Sequence, residues 1–127
     1  MHISGIYAAL GTLLVLVLTF RVIRRRFSSR TGIGDGGDRE LARCIRVHAN
    51  AVEYLPLALI LLFLVEWNQT QPLLVHGFGI TLIVGRILHA IGLSRSAGSS
   101  PARLIGMLLT LLTMLGMALL LLWQSII

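Results

Sequence analysis

At 127 residues the chain has room for one domain, and more than half of it, 56%, is hydrophobic against 13% charged. The formal net charge is +6, and every basic residue is an arginine. No soluble basic segment accompanies those arginines, which excludes a nucleic-acid-binding domain.

Four apolar runs, about 3–23, 46–67, 72–93 and 102–123, account for most of the chain. Each holds roughly 20 residues, enough at helical rise to cross a hydrocarbon core of ~30 Å. Backbone amides there must be satisfied within the segment, which selects helices. A soluble four-helix bundle needs a polar stripe on each helix, and "LLTLLTMLGMALLLLW" has none. The expected fold is therefore all-α, an integral membrane four-helix bundle.

The first run opens within "MHISGIYAAL", which lacks Lys and Arg, and ends in "FRVIRRRF". It is expected to remain as a span, since a cleaved signal would carry its charge first. The connection after it holds Arg24, Arg25, Arg26, Arg30 and Arg39, with Arg43 at its end. Its turn-rich centre, "SSRTGIGDGGDRE", does not fit a phosphate-cradling GxxxxGK[ST] loop and reads as flexible. Asp38 is placed to cap the second helix. The lone Cys44 excludes an intramolecular disulfide and reads as an unreactive helix cysteine.

Glu66 and Trp67 close the second span at the outer interface, and "NQTQP" turns into the third, with Pro72 near its start. His76 is expected at that same interface. The third connection, "SRSAGSSP", carries Arg95 and ends with Ser100 as a cap and Pro101 at the first helical position. Arginine is confined to the first and third connections and the span ends beside them. By the positive-inside rule both face the cytoplasm and both termini face outward. No set of metal ligands is expected.

"RCIRVHANAVEYLP", at the head of the second span, is unusually polar for its place. With about 100° per residue and Arg46 at zero, Asn50 falls near 40°, Glu53 near −20°, Tyr54 near 80° and Arg43 near 60°. His48 points roughly the other way. Charges held inside a bilayer usually face protein or water and mark function. Glu53 lies roughly 10 Å deeper than Arg46 along the helix and needs a partner, with Arg46 and Asn50 nearest. That pair also reads as purely structural.

Arg86 and His89 share a face of the third span, although Arg86 alone reads equally well as a snorkelling side chain. Arg103 stands near the start of the fourth helix, where a cation is unfavourable unless an anion sits there. Together these groups point to a small polar ligand with more than one negative charge and at least one positive charge.

The same residues resemble the signature of the MAPEG family, the membrane-associated proteins in eicosanoid and glutathione metabolism. Its pattern is roughly E-R-x-x-R-A-[HQ]-x-N-x-x-E-[YT]-x-P, and Arg46, His48, Asn50, Glu53, Tyr54 and Pro56 fill its places. "GRILHAIG" late in the third span and "SPAR" at the head of the fourth extend the likeness. "GDGG" resembles the small bacterial inner-membrane branch.

The resemblance implies one transmembrane domain over 1–127, assembled as a homotrimer in a bacterial inner membrane. It implies glutathione as co-substrate, bound between subunits near the cytoplasmic face, and a hydrophobic second substrate from the bilayer. Arg46 and Arg103 correspond to arginines that contact the tripeptide. Asn50, Glu53, Tyr54 and His89 correspond to further ligand positions, and Arg24 or Arg25 to an arginine ending the first span. Arg43 and Arg86 join them as candidate ligand groups on the polar faces. Arg103 is the expected thiolate-stabilising, catalytic residue.

The implied activity is a glutathione-dependent transferase or peroxidase. Leu93 departs from the pattern, standing where activating branches carry a tyrosine, and a one-residue gap is needed to align Arg103. Two other readings stand beside it. One is a non-catalytic trimeric membrane protein. The other is a small multidrug-type transporter, although such exporters carry their glutamate in the first span, which here has none.

Overall fold

A computed structural model describes residues 2–126 as four helices: α1 (Ile3–Ser29), α2 (Arg39–Trp67), α3 (Pro72–Arg95) and α4 (Pro101–Ile126). All four are long and apolar enough to cross a membrane. α1 and α2, with 27 and 29 residues, exceed the ~30 Å core at 1.5 Å per residue. Their basic ends therefore project past the hydrocarbon. α1 continues through Ser29, beyond the apolar run that ends at Ile23, and α2 begins at Arg39, ahead of the run that starts near 46.

Large side chains such as Leu13, Phe20, Leu57, Ile60, Leu112 and Leu119 point away from the bundle. That is the surface a bilayer solvates. The core lies between the helices, built on Leu18, Val47, Leu55, Leu62, Leu82 and Met117. α3 is the most enclosed helix and packs on each of the others, whereas α1 and α4 make no close approach among the described residues.

Without a hydrophobic drive between helices in lipid, small residues govern how near two backbones come. A methyl group on Gly106 of α4 would strike the backbone of His89 and the carbonyl of Gly85 on α3. One on Gly92 would strike the backbone of Arg103. The head of α4 is thus pressed directly against the end of α3.

The helix ends are capped by local chemistry. Asp38 Oδ1 accepts from the N–H groups of Glu40 (2.9 Å) and Leu41 (3.2 Å), while Arg25 pairs with Asp38 at 2.8 Å and Glu40 at 3.0 Å. Ser100 Oγ accepts from Arg103 N–H at 3.2 Å, and Pro101 opens α4. At the other end Glu66 does more than line an interface. Its carboxylate accepts from the N–H groups of Ile3 and Ser4 and from the Ser4 hydroxyl, closing the N-terminus of α1. Nothing in the sequence spacing connects these residues; only the packing of α1 on α2 does.

Candidate functional site

The polar arc of α2 divides between two directions. Arg46 and Glu53 face outward, both about half exposed, and pair through Arg46 Nη1 and Glu53 Oε1 at 3.0 Å. Asn50 turns inward and is buried. It accepts a hydrogen bond from Arg86 Nη2 instead of serving Glu53. Tyr54, half-buried, lies with its ring centroid 5.5 Å from the Arg86 guanidinium carbon, within cation–π range.

Arg86 does not snorkel. Only 1% of it is exposed, and its Nη2 also lies 3.3 Å from His89 Nδ1. Its Nε and Nη1 have no hydrogen-bond partner among the described residues. Arg86 thus stands behind Asn50, Tyr54 and His89 and fixes their positions from the rear.

Those three residues line a recess of about 450 Å³ that also takes in Arg46, Ser100 and Arg103. A second recess, about 530 Å³, is lined by Arg39, Arg43, Arg46, Leu93 and Arg103. Arg46 and Arg103 belong to both, so the two recesses meet along these arginines. The guanidiniums of Arg39, Arg43, Arg46 and Arg103 line the wider recess, and Glu53, outside both linings, is linked to them through its pair with Arg46. The surplus is positive, and the planar forks suit carboxylates. The aliphatic Leu104 and Met107, not singled out in the sequence, complete one wall. Met107 lies four residues after Arg103 and three after Leu104, and that helical spacing is the signal that would have found this wall. Ser99 also lines this recess and carries no sequence signal beyond its loop position.

Arg103 holds the loop beside it. Its Nη1 donates to the carbonyls of Ala97 (3.3 Å) and Gly98 (3.2 Å), while Gly92 fixes its backbone. The guanidinium is free to exchange those carbonyls for a stronger acceptor without moving the helix.

Arg24 is not brought to this site. It lines a separate recess of about 410 Å³ with Arg21, Arg25, Ser28, Glu40 and the buried Cys44. Arg25 is committed to Asp38 and Glu40, whereas Arg24 has no ion-pair partner among the described residues. Within one chain, Arg24 and Arg103 do not line a common recess.

Comparison with known proteins gives two findings. The sequence pattern of the MAPEG family matches residues 4–123. The chain is also 43% identical over 90 residues to inner membrane protein YecN of Escherichia coli K12, covering 71% of this chain and 69% of that one. YecN of Escherichia coli O6:H1 gives the same identity and coverage.

Proposed function

The chain belongs to the MAPEG family, and from that premise we propose that it binds glutathione in the membrane and uses it as a transferase or peroxidase. The carrying observation is the convergence of Arg46 and Arg103 on two joined recesses beside one carboxylate. Glutathione presents two carboxylates, an ammonium and a thiol. Arginine forks hold the carboxylates, and Glu53 holds the ammonium. Asn50, Tyr54 and His89 shape the wall, with Arg86 behind them and Arg43 at the rim of the wider recess.

Arg103 then leaves its loop carbonyls for the thiolate. Lowering a thiol pKa from ~8.5 to ~6.5 takes about 2.7 kcal/mol, within reach of one desolvated cation. The thiolate attacks an electrophilic carbon arriving along Leu104 and Met107, forming a carbon–sulfur bond as the displaced electron pair leaves or is protonated. With a lipid hydroperoxide it attacks the distal oxygen. The O–O bond breaks, the alkoxide takes a proton, and a second glutathione converts the sulfenic acid to disulfide and water.

In this reading the protein is a multi-pass protein of a bacterial inner membrane with its recesses at the cytoplasmic side and its termini outside. It forms a homotrimer. The outward Arg46–Glu53 pair supports that assembly, because leaving a half-exposed charge pair against lipid is unfavourable and a neighbouring copy would cover it. The separation of Arg24 from Arg103 supports it too, since a second copy can bring its own Arg24 to the site.

Leu93 favours a second reading, a member that binds glutathione without turning it over. Its side chain lines the wider recess where a tyrosine hydroxyl would serve the thiolate. Stopped-flow ultraviolet difference spectra with glutathione, beside calorimetry, separate the two. A thiolate band with turnover of a hydrophobic electrophile supports the enzyme. Binding without the band supports the second reading, and absence of binding removes both.

A further inference from the structure

The C-terminus of α1 carries a recess of about 460 Å³ unrelated to the site above, lined by Ile23, Arg26, Phe27, Arg30, Thr31 and Gly32. Its base is apolar, and Phe27 is 81% exposed. Ile33, in the adjoining loop, is 94% exposed. In a soluble protein such residues would be misplaced. Here they lie where α1 leaves the hydrocarbon, at headgroup depth.

Two details show that the recess is built. Arg26 donates through Nη1 to the carbonyls of Thr31 (3.3 Å), Gly32 (3.4 Å) and Gly34 (2.9 Å), holding the loop to the helix end. The helix itself ends on Arg30 in the left-handed region, φ 53° and ψ 39°. That position favours glycine, because a side chain there costs about 1–2 kcal/mol. The chain places an arginine there although glycines occur at 32, 34, 36 and 37. An unfavourable backbone kept for the sake of its side chain points to a use for that side chain.

Charge identifies the occupant. The nearby acids do not serve Arg30: Asp38 and Glu40 pair with Arg25, and Asp35 accepts from Gly37 N–H without making an ion pair among the described residues. Arg30 has no carboxylate partner among the described residues. A guanidinium at the rim of an apolar recess at the membrane surface suits a phosphodiester with an acyl chain beneath it. We propose that this recess binds an anionic phospholipid, its phosphate on Arg30 and its chain along Ile23 and Phe27.

The test uses the full chain in detergent, titrated with phosphatidylglycerol or phosphatidylcholine and followed by native mass spectrometry. Wild type should retain phosphatidylglycerol in preference, and Arg30→Gln should lose that preference by tenfold or more. Arg95→Gln, which removes the same charge at the end of α3, should leave it unchanged. Arg30→Gly relieves the backbone, so it should keep or raise the unfolding temperature while losing the lipid. Equal losses in the Arg30 and Arg95 variants would reduce the effect to diffuse electrostatics and overturn the site. Retention by Arg30→Gly, or displacement of the lipid by inorganic phosphate, would overturn it as well. Glutathione binding should be the same in all three variants, so this outcome is independent of the activity proposed above.

Discussion

Arg86 on α3 donates from Nη2 to the side-chain oxygen of Asn50 on α2, and both residues are buried. This bond ties the polar arc of the second span to the third. It also gives the guanidinium its one side-chain oxygen acceptor among the described residues. The consequences of removing either partner are unequal.

Asn50→Leu leaves a buried cation without that acceptor, which costs more than the ~1–3 kcal/mol of an unsatisfied neutral group. Arg86→Met removes the cation and its two unpaired nitrogens together, leaving the neutral Asn50 amide and the His89 ring nitrogen to find partners, for about 1–3 kcal/mol. We expect Asn50→Leu to be the more destabilising in reversible unfolding from mixed micelles. The opposite order would mean that Arg86 gains a counter-charge in the folded protein.

The α3–α4 seam makes a second prediction. Alanine at Gly106 would push its methyl into the backbone of His89 and the Gly85 carbonyl, and neither can yield as a flexible side chain would. The helices must part, at about 1–3 kcal/mol or more. At Gly77, in the same helix as Gly85, an added methyl meets nothing within 4 Å. Gly77→Ala should gain about 1 kcal/mol of helix propensity. Thermal unfolding in detergent should therefore move in opposite directions for the two variants.

These contrasts mark what the sequence could convey. Four helices of membrane length and the Asp38 and Ser100 caps are legible in the local sequence and appear in the fold, while the arc of Arg46, Asn50, Glu53 and Tyr54 follows from periodicity. Periodicity assigns an angle around one helix, and it does not say what stands opposite. Asn50 and Glu53 lie about 60° apart by that rule, yet one is enclosed by α3 and the other faces outward. Arg86 reads equally well from sequence as a ligand group or a snorkelling side chain, and it is the contact between α2 and α3 that buries it against Asn50. The bond network of Glu66 at the start of α1 spans most of two helices and has no local signal.

Acid should act on the α1–α2 connection through Asp38. Burial pushes its carboxyl upward, but the Leu41 N–H, the Arg25 side chain and the Glu40 N–H outweigh that and hold it below its ordinary value of 3.8. A lowered folded value means the contribution to stability is complete above the unfolded pKa and disappears as pH falls through the folded one. Unfolding midpoints should therefore be insensitive to this group from neutral pH to about 5 and decline below about 4. Asp38→Asn keeps the capping oxygen without the charge, so its midpoint should decline less over that lower range. Equal declines in both proteins would remove Asp38 as the cause.

Arg46 and Arg103 should fail differently when replaced. Arg46 already spends its charge on Glu53 and, as proposed, on a carboxylate of the tripeptide. Arg46→Gln should weaken glutathione and S-methylglutathione alike, by tenfold or more, as expected for lost hydrogen bonds to charged groups. Arg103 is assigned to the thiolate, which S-methylglutathione cannot form. Arg103→Gln should therefore leave S-methylglutathione binding close to wild type, abolish the thiolate band and lower turnover by about 10²–10³. The loop that Arg103 braces through Ala97 and Gly98 needs its own control, because a collapsed loop would imitate a lost catalytic group. Arg103→Lys keeps a cation on the same backbone and should restore part of the thiolate band. If Arg103→Gln instead weakens both ligands to the same degree, the residue only positions the tripeptide, and the thiolate is stabilised by another group.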